Sequence, residues 1–531
     1  MIIFFGALLS LAALAGLLLV FRYRSFEPID RLIIASLPLL DALIGIALFG
    51  ILKAQPLDLW SDIRLARTFG LYHGIKLYPS ADSTGPIIGT LHTPVSHLLF
   101  GPAVLAPSPT SAIYVGCLIA VALVLLPLVW LFCFPRFVLP RKFHTALFAL
   151  TACGFLIITG GSGRAPRFMM IHTDAAAVCF AAIAAGLLCS TRAPLSWRRL
   201  LLSAFCGALS LGAKQTMAPL LVALCLFLLA ADGLRAALRY LLYIIGSGLA
   251  FTAFCFVLFH PLRDFLFNTV ILATHRPARG FGFSTFETAF EDSLYAVLPC
   301  ALGITAFALL WLFRNGSARG VRPLFAEHRW LVFPIVGMLL APATIKARMT
   351  IGGAENHTAI FSFFFFVGAC LALHRFMNED AAPSHSLTAK MLAGLIIAYS
   401  IPGTFEKIQS TDALLHNQPN YDATVERYMR HSPETTYFPD APLATFYSEK
   451  RFYDVDLMLL DREDAGRPIS AAQFASAIPA NPQRVVVPEG LRRSLVLQDY
   501  LTCWTEGTDP NLPGMIVYER PKAPTTPSPA Q

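Results

Sequence analysis

Charge is what this sequence has least of. Only 14% of its residues are Asp, Glu, Lys or Arg, where soluble domains carry about 25%. A soluble globular enzyme is excluded on that ground. The chemistry-bearing signatures are also missing. The stretch GGSGRAPRF has the glycines of a phosphate loop but not the following Lys-Ser/Thr, and no GxSxG or HExxH occurs. A P-loop NTPase, a serine hydrolase of the elbow type and a zinc protease are therefore disfavoured. No CxxC or Cys/His metal spacing occurs; ten of the eleven cysteines, Cys117 through Cys370, lie in or beside apolar segments, and Cys503 has no obvious partner. They read as packing residues, without a disulfide framework or a zinc site. The net charge of +8 is modest and falls in short loops, a pattern that fits membrane topology better than nucleic-acid binding.

What is there is apolar length. Hydrophobic residues make up 56% of the chain and the mean hydropathy is +0.60. Runs of about 18 or more apolar residues recur, a length that only membrane-spanning helices need. The first, Ile2 to Val20, is followed by Arg22 and Arg24, without a basic flank before it or a small-residue cleavage site after it; a signal peptide is the weaker reading. Placing the arginines inside sets the alternation: Leu32–Leu52 leads out, Ala112–Phe134 returns, and basic loops such as Arg198/Arg199 and Arg314/Arg319/Arg322/Arg329 stay cytoplasmic. The sum is an α-helical polytopic membrane protein of about 12 transmembrane helices, with residues 1–403 forming the membrane domain. Beyond Gly403 the composition turns polar. RVVVPEG and GMIVYE are strand-like, so 404–520 reads as a small C-terminal extracytoplasmic α/β domain and 521–531 as a disordered Pro/Ser/Thr tail.

The first polar interruption, the external loop 53–97, carries the densest set of candidate residues. Asp58 and Asp62 stand one helical turn apart, and Leu65, Phe69 and Tyr72 follow at helical spacing, which predicts an amphipathic helix on the membrane surface. The two acids either do chemistry there or merely cap and solvate that helix. Further along, Arg164, Arg167, Lys214, Arg276, Arg279, Lys346 and Arg348 fall in loops assigned outside, against the topology rule. Cations so placed either meet an anion, a phosphate-bearing lipid being the natural one, or reach to lipid headgroups.

These segments together resemble the GT-C superfamily of polytopic glycosyltransferases, the group with the protein O-mannosyltransferases and the aminoarabinose transferases of lipid A. The resemblance rests on Asp62 in DLWSDIRLA, on Leu77-Tyr78-Pro79, on HTPVSH from His92 to His97, on Asp174 in IHTDAAAVCF, on GAKQT around Lys214 and on GGAENH from Gly352 to His357. It departs from the family where Asp62 is followed by Ile63 instead of an acid, and where His92 and Thr93 replace residues of the paired-proline segment. The resemblance implies transfer of a sugar from a polyprenyl-phosphate donor to a hydroxyl of a glycan, lipid or protein acceptor, with inversion, at the periplasmic side of the inner membrane. It implies Asp62 as base, Asp174 orienting substrate or sharing that role, and Lys214, Lys346 and Arg348 on the phosphate. His92, Asn356 and Tyr78 are positioning candidates. No metal ligand set and no cofactor is identified, and a divalent metal stays open. The rival readings are a flippase or transporter of lipid-linked sugars, and a ligase-like enzyme with a diphosphate donor.

Overall fold

The computed structural model describes residues 2–23, 28–54, 59–133, 143–159, 170–189, 195–275, 283–315, 321–350, 356–378, 409, 420–431 and 435–521. The chain divides into two compact units. The first holds Met1–Ala54, Cys117–Cys255 and Ala278–Asn417; the second holds Gln55–Gly116, Phe256–Pro277 and Gln418–Gln531.

The first unit is helical. Its helices are α1 (Ile2–Arg22), α2 (Pro28–Ala54), most of α5 (Pro109–Cys133), α6 (Phe143–Thr159), α7 (Thr173–Leu188), α8 (Trp197–Ala213), α9 (Ala218–Asp232), most of α10 (Leu234–Leu258), α12 (Phe283–Asn315), α13 (Val321–Glu327), α14 (Val332–Arg348) and α15 (Asn356–Asn378). Among the described residues six helices are long and apolar enough to cross a membrane, and shorter apolar helices include Thr173–Leu188 and His144–Ile158. In hydrocarbon every backbone N–H and C=O has to pair within its own helix, so runs of this length fold as helices. The expected run at Leu392–Ile401 lies outside the described residues.

Packing in this unit follows small residues and buried polar contacts, not greasy area, since lipid is as apolar as leucine. Helix α7 is rich in alanine on its buried faces and lies against α8. Two serines two turns apart on α8 clamp the pair: Ser203 donates to Ala184 O and Ser210 to Ala177 O, both at 2.8 Å. Helices α14 and α15 approach so closely that a Cβ on Gly337 would stand 2.9 Å from the Phe365 ring, and one on Gly368 2.8 Å from Pro334. The basic loop residue Arg329 is not a headgroup anchor. It is buried, donates twice to Asp232 at 3.0 and 2.7 Å and once to Leu188 O at 2.9 Å, and lies over the Phe227 ring.

The second unit is assembled from three separated stretches. Its first part is α3 (Leu59–Tyr72), the short α4 (Val95–Leu99) and a 3-10 turn Gly101–Leu105; its second is α11 (Leu262–Leu266) and the π turn Phe267–Leu272. Its third carries α16 (Tyr421–His431), α17 (Pro442–Glu449), α18 (Asp456–Asp464), α19 (Ala471–Ala477) and α20 (Leu495–Leu501) around a four-stranded sheet. The strands β1 (Thr436–Tyr437), β2 (Arg484–Pro488), β3 (Thr505–Gly507) and β4 (Met515–Glu519) run in the order β1-β2-β4-β3, with β1 parallel to β2 and the other pairs antiparallel. The two stretches that predicted strands, RVVVPEG and GMIVYE, are β2 and β4.

Alternation along β2 divides its burial between two cores. Val485 and Val487 face a cluster with Ile87, Leu91, Phe267 and Leu272, whereas Val486, opposite Val517, faces Val425 and Phe438. Residues of the first loop are thus part of the sheet's core. Polar ties hold them there: Ile87 N–H donates to Asp454 at 2.6 Å, Arg462 to Ala81 O at 2.6 Å, and Asn268 to Pro79 O at 2.8 Å. Helix α3 departs from its expected place on a membrane surface. Leu65 and Phe69 are fully buried, and Phe69 packs against Phe446 and Tyr447 of α17 at 5.9 and 5.8 Å between ring centroids. Only Tyr72 of the predicted stripe is exposed.

Candidate functional site

In the first unit a polar cluster forms where α7 and α15 begin and α8 and α14 end. His172 is extended and starts α7, which places Asp174 in the first turn with its side chain fully buried. Helix α8 stops at Lys214, whose backbone is extended before a short turn and Pro219 open α9. That break turns the ammonium back onto Asp174, and the two form an ion pair with Lys214 only 2% exposed. His172 Nδ1 lies 2.9 Å from the other oxygen of Asp174. His357, near the start of α15, is within electrostatic reach of Lys214, Asp174, His172 and Arg348. Its Nδ1 is buried and has no hydrogen-bond partner among the described residues.

Charges removed from water persist only when paired or when they serve a ligand. Here Lys214, His172 and His357 lie around one carboxylate, and Arg348 is within electrostatic reach of His357, so the permanent charges of the cluster are weighted positive. An Arg fork beside a Lys is a chemistry suited to a phosphate. Lys346 stands on the same last turn of α14 as Arg348 and is exposed.

In the second unit Asp62 lies in the first turn of α3 and is fully buried. Its carboxylate accepts the Leu443 N–H at 2.9 Å, with the Ala444 N–H and the Asp422 carboxyl close by. The first turn of α17 has no capping side chain of its own, because its flanking residue is Ala441. Asp62 therefore caps a helix 381 residues away, satisfying orphan N–H groups at the positive end of that helix. Burial pushes its pKa up to about 6, partly offset by those hydrogen bonds. Other buried acids share this behaviour. Burial and the charge of Asp456 push Asp440 up to about 8, and burial pushes Asp454 up to about 8 and Asp456 to about 6. Among the described residues no group of His, Cys, Asp or Glu is arranged to hold a metal ion.

The structure brings together Asp174, Lys214 and Arg348, and places Lys346 and the first residue of α15, Asn356, at the same helix ends; the Asn356 side chain lies outside the described residues. Tyr78 and His92 meet in the second unit, where the Tyr78 hydroxyl donates to His92 O at 3.0 Å and its ring packs edge-on to Phe259 and Phe265. Asp58, Arg164, Arg167, Arg276 and Arg279 lie outside the described residues. Sequence reasoning gave no role to His172 and His357, although each lies within a motif it used, IHTDAAAVCF and GGAENH. It also missed Asp422, which had no motif around it.

No family model matches this chain and no curated protein matches it. Solved structures do. ArnT from Cupriavidus metallidurans bound to undecaprenyl phosphate is similar at 12% identity and a TM-score of 0.51, covering 90% of this chain and 97% of that one. The same protein in the apo state matches at 12% identity and a TM-score of 0.52, with 90% and 96% covered. The chain thus has the fold of ArnT over nearly its whole length, and is a multi-pass membrane protein with a small C-terminal sheet region.

Proposed function

We propose that this chain is a membrane glycosyltransferase that moves a sugar from a polyprenyl-phosphate donor to an acceptor hydroxyl at the extracytoplasmic face. The observation that carries this reading is the positively weighted cluster of Lys214, Arg348, His172 and His357 around Asp174, set at the ends of apolar helices. A lipid phosphate is the anion that such a position receives: its chain stays in hydrocarbon and its charge stops at the helix ends. The fold shared with ArnT supports the same class of substrate, since one of those ArnT structures is bound to undecaprenyl phosphate.

In this reading the acceptor oxygen attacks the anomeric carbon as the bond to the phosphate oxygen breaks, and the lipid phosphate leaves with both bond electrons. Arg348, Lys346 and Lys214 stabilise the charge that develops on it, so no general acid is needed. Attack opposite the leaving group inverts the anomeric centre. Asp174 holds Lys214 and His172 in place. Within the second unit Asp62 is the candidate to take the acceptor's proton, because a pKa of about 6 suits a base working near neutrality. To act, it has to exchange the Leu443 N–H for the acceptor hydroxyl.

Titrating the purified full chain with a soluble short-chain polyprenyl phosphate tests the phosphate site. A charged hydrogen bond is worth about 1.5–3 kcal/mol, so Arg348→Gln or Lys346→Gln should weaken binding about tenfold to a hundredfold. Arg199→Gln, at the opposite end of α8 from Lys214, should leave it unchanged. Equal small effects at all three positions would show the outer cations to be headgroup anchors.

A further inference from the structure

Helix α2 carries an acid where a membrane helix has most reason to avoid one. Asp41 stands thirteen residues from either end of Pro28–Ala54, about 20 Å from each at ~1.5 Å per residue. It is exposed on the outside of the helix, and Gly45 and Phe49 continue the same exposed line at one-turn spacing. A Cβ on Gly45 would meet nothing within 4 Å, so the backbone is open to close approach there. The hydrogen bond Asp41 does make is a long one, accepted from Thr151 of α6 at 3.4 Å. Among the described residues it has no cationic partner. The contrast lies on the same helix: Asp30, three turns earlier, is buried and bridged to His144 at 3.0 Å.

A carboxylate has room for about four hydrogen bonds, and one long bond from a threonine leaves most of that capacity facing lipid. Ionisable side chains at mid-membrane almost always pair within the bilayer. A second copy of this chain is a poor occupant, because a two-fold contact through this line would set Asp41 against Asp41. We propose that the Asp41–Gly45–Phe49 face of α2 is an intramembrane docking surface for a transmembrane helix of another protein that bears a lysine or arginine at mid-span. The cation pairs with Asp41, and the notch at Gly45 lets the two backbones approach as small residues do in membrane helix pairs.

The test uses the full chain in lipid bilayers with labelled leucine–alanine transmembrane peptides that differ only in a central Lys, Leu or Asp. Polar contacts between membrane helices predict a preference for the Lys peptide over the Leu peptide of about threefold to thirtyfold. In Asp41→Leu that preference disappears while thermal stability is kept or raised. Equal binding of Lys and Leu peptides overturns the inference. So does an Asp41→Leu variant that melts earlier yet binds both as wild type does, since Asp41 is then only a clasp to Thr151. In cells, a photoreactive amino acid placed at Gly45 should crosslink to another polypeptide through a helix with a central Lys or Arg. Crosslinks confined to a second copy, or to this chain's own apolar run at 392–401, overturn it.

Discussion

Replacing Asp62 separates its two tasks, because asparagine and alanine remove different things. Burial raises its pKa from 3.8 to about 6, a difference on the order of 3 kcal/mol at about 1.4 kcal/mol per pH unit. The folded state therefore holds this proton more tightly than the unfolded chain. Below about pH 4 both states are protonated and no penalty exists; it grows as pH rises and is complete above about pH 6. Asp62→Asn has no charge to bury yet keeps an oxygen for the Leu443 N–H. At pH 8 it should match or exceed the wild type in stability, by up to about 3 kcal/mol, and at pH 4 the two should coincide. Asp62→Ala leaves the buried N–H groups of α17 unsatisfied, which costs about 1–3 kcal/mol for each group left without a partner. Thermal unfolding in detergent from pH 4 to 9, with protease protection of residues 435–521 as the local readout, puts Asn above both wild type and Ala at pH 8. Sugar transfer by the Asn variant should fall by about a hundredfold or more. An Asn variant that is less stable than wild type only at high pH would refute the burial argument. One that is stable and transfers sugar normally would reduce Asp62 to a helix cap.

Three further outcomes are expected. Lys214→Met alone should destabilise the protein by about 3–5 kcal/mol by stranding Asp174, while Lys214→Met with Asp174→Leu should recover most of that stability without recovering transfer; melting and transfer measured on the same preparations decide it. Arg329→Gln should lower the melting temperature through loss of the Asp232 fork and leave affinity for the short-chain polyprenyl phosphate unchanged, and a weakened affinity would show that its end of the bundle reaches the donor. Reporter fusions after Ser80 and after Asn511 should both read as extracytoplasmic, and opposite readings would remove the basis for an external site.

Much of the membrane unit was legible because apolar length is a local property. The run Leu32–Leu52 is the heart of α2, and the apolar tracts around α5, α10 and α15 announce themselves without knowledge of any partner. The strands β2 and β4 were visible for the same reason. What could not be read was pairing at a distance. Lys214 was noticed as a cation out of place and Asp174 through the resemblance, but nothing in the sequence tells that they neutralise each other across 40 residues. The helical spacing of Leu65, Phe69 and Tyr72 was correct and its interpretation was not, because an apolar stripe reads alike whether lipid or another helix covers it. Here α17 covers it. Arg329 was read as one member of a basic loop, and its pairing with Asp232 had no signal in the sequence.

The composite build of the second unit sets a clock on synthesis. Residues 55–116 leave the ribosome long before 418–531 exist. At about 5–20 residues per second the interval lasts roughly 15–60 s, during which the helices between them are being inserted. Until the last stretch arrives, Ile87 and Leu91 have no sheet to cover them, the Ile87 N–H has no Asp454, and α3 holds a carboxylate with no helix to cap. The early loop is thus delivered as an unfinished surface, open to chaperones and proteases of its compartment. A chain cut short anywhere before β1 leaves that loop permanently unfinished and offers quality control an unfolded segment, whatever the state of the helices behind it.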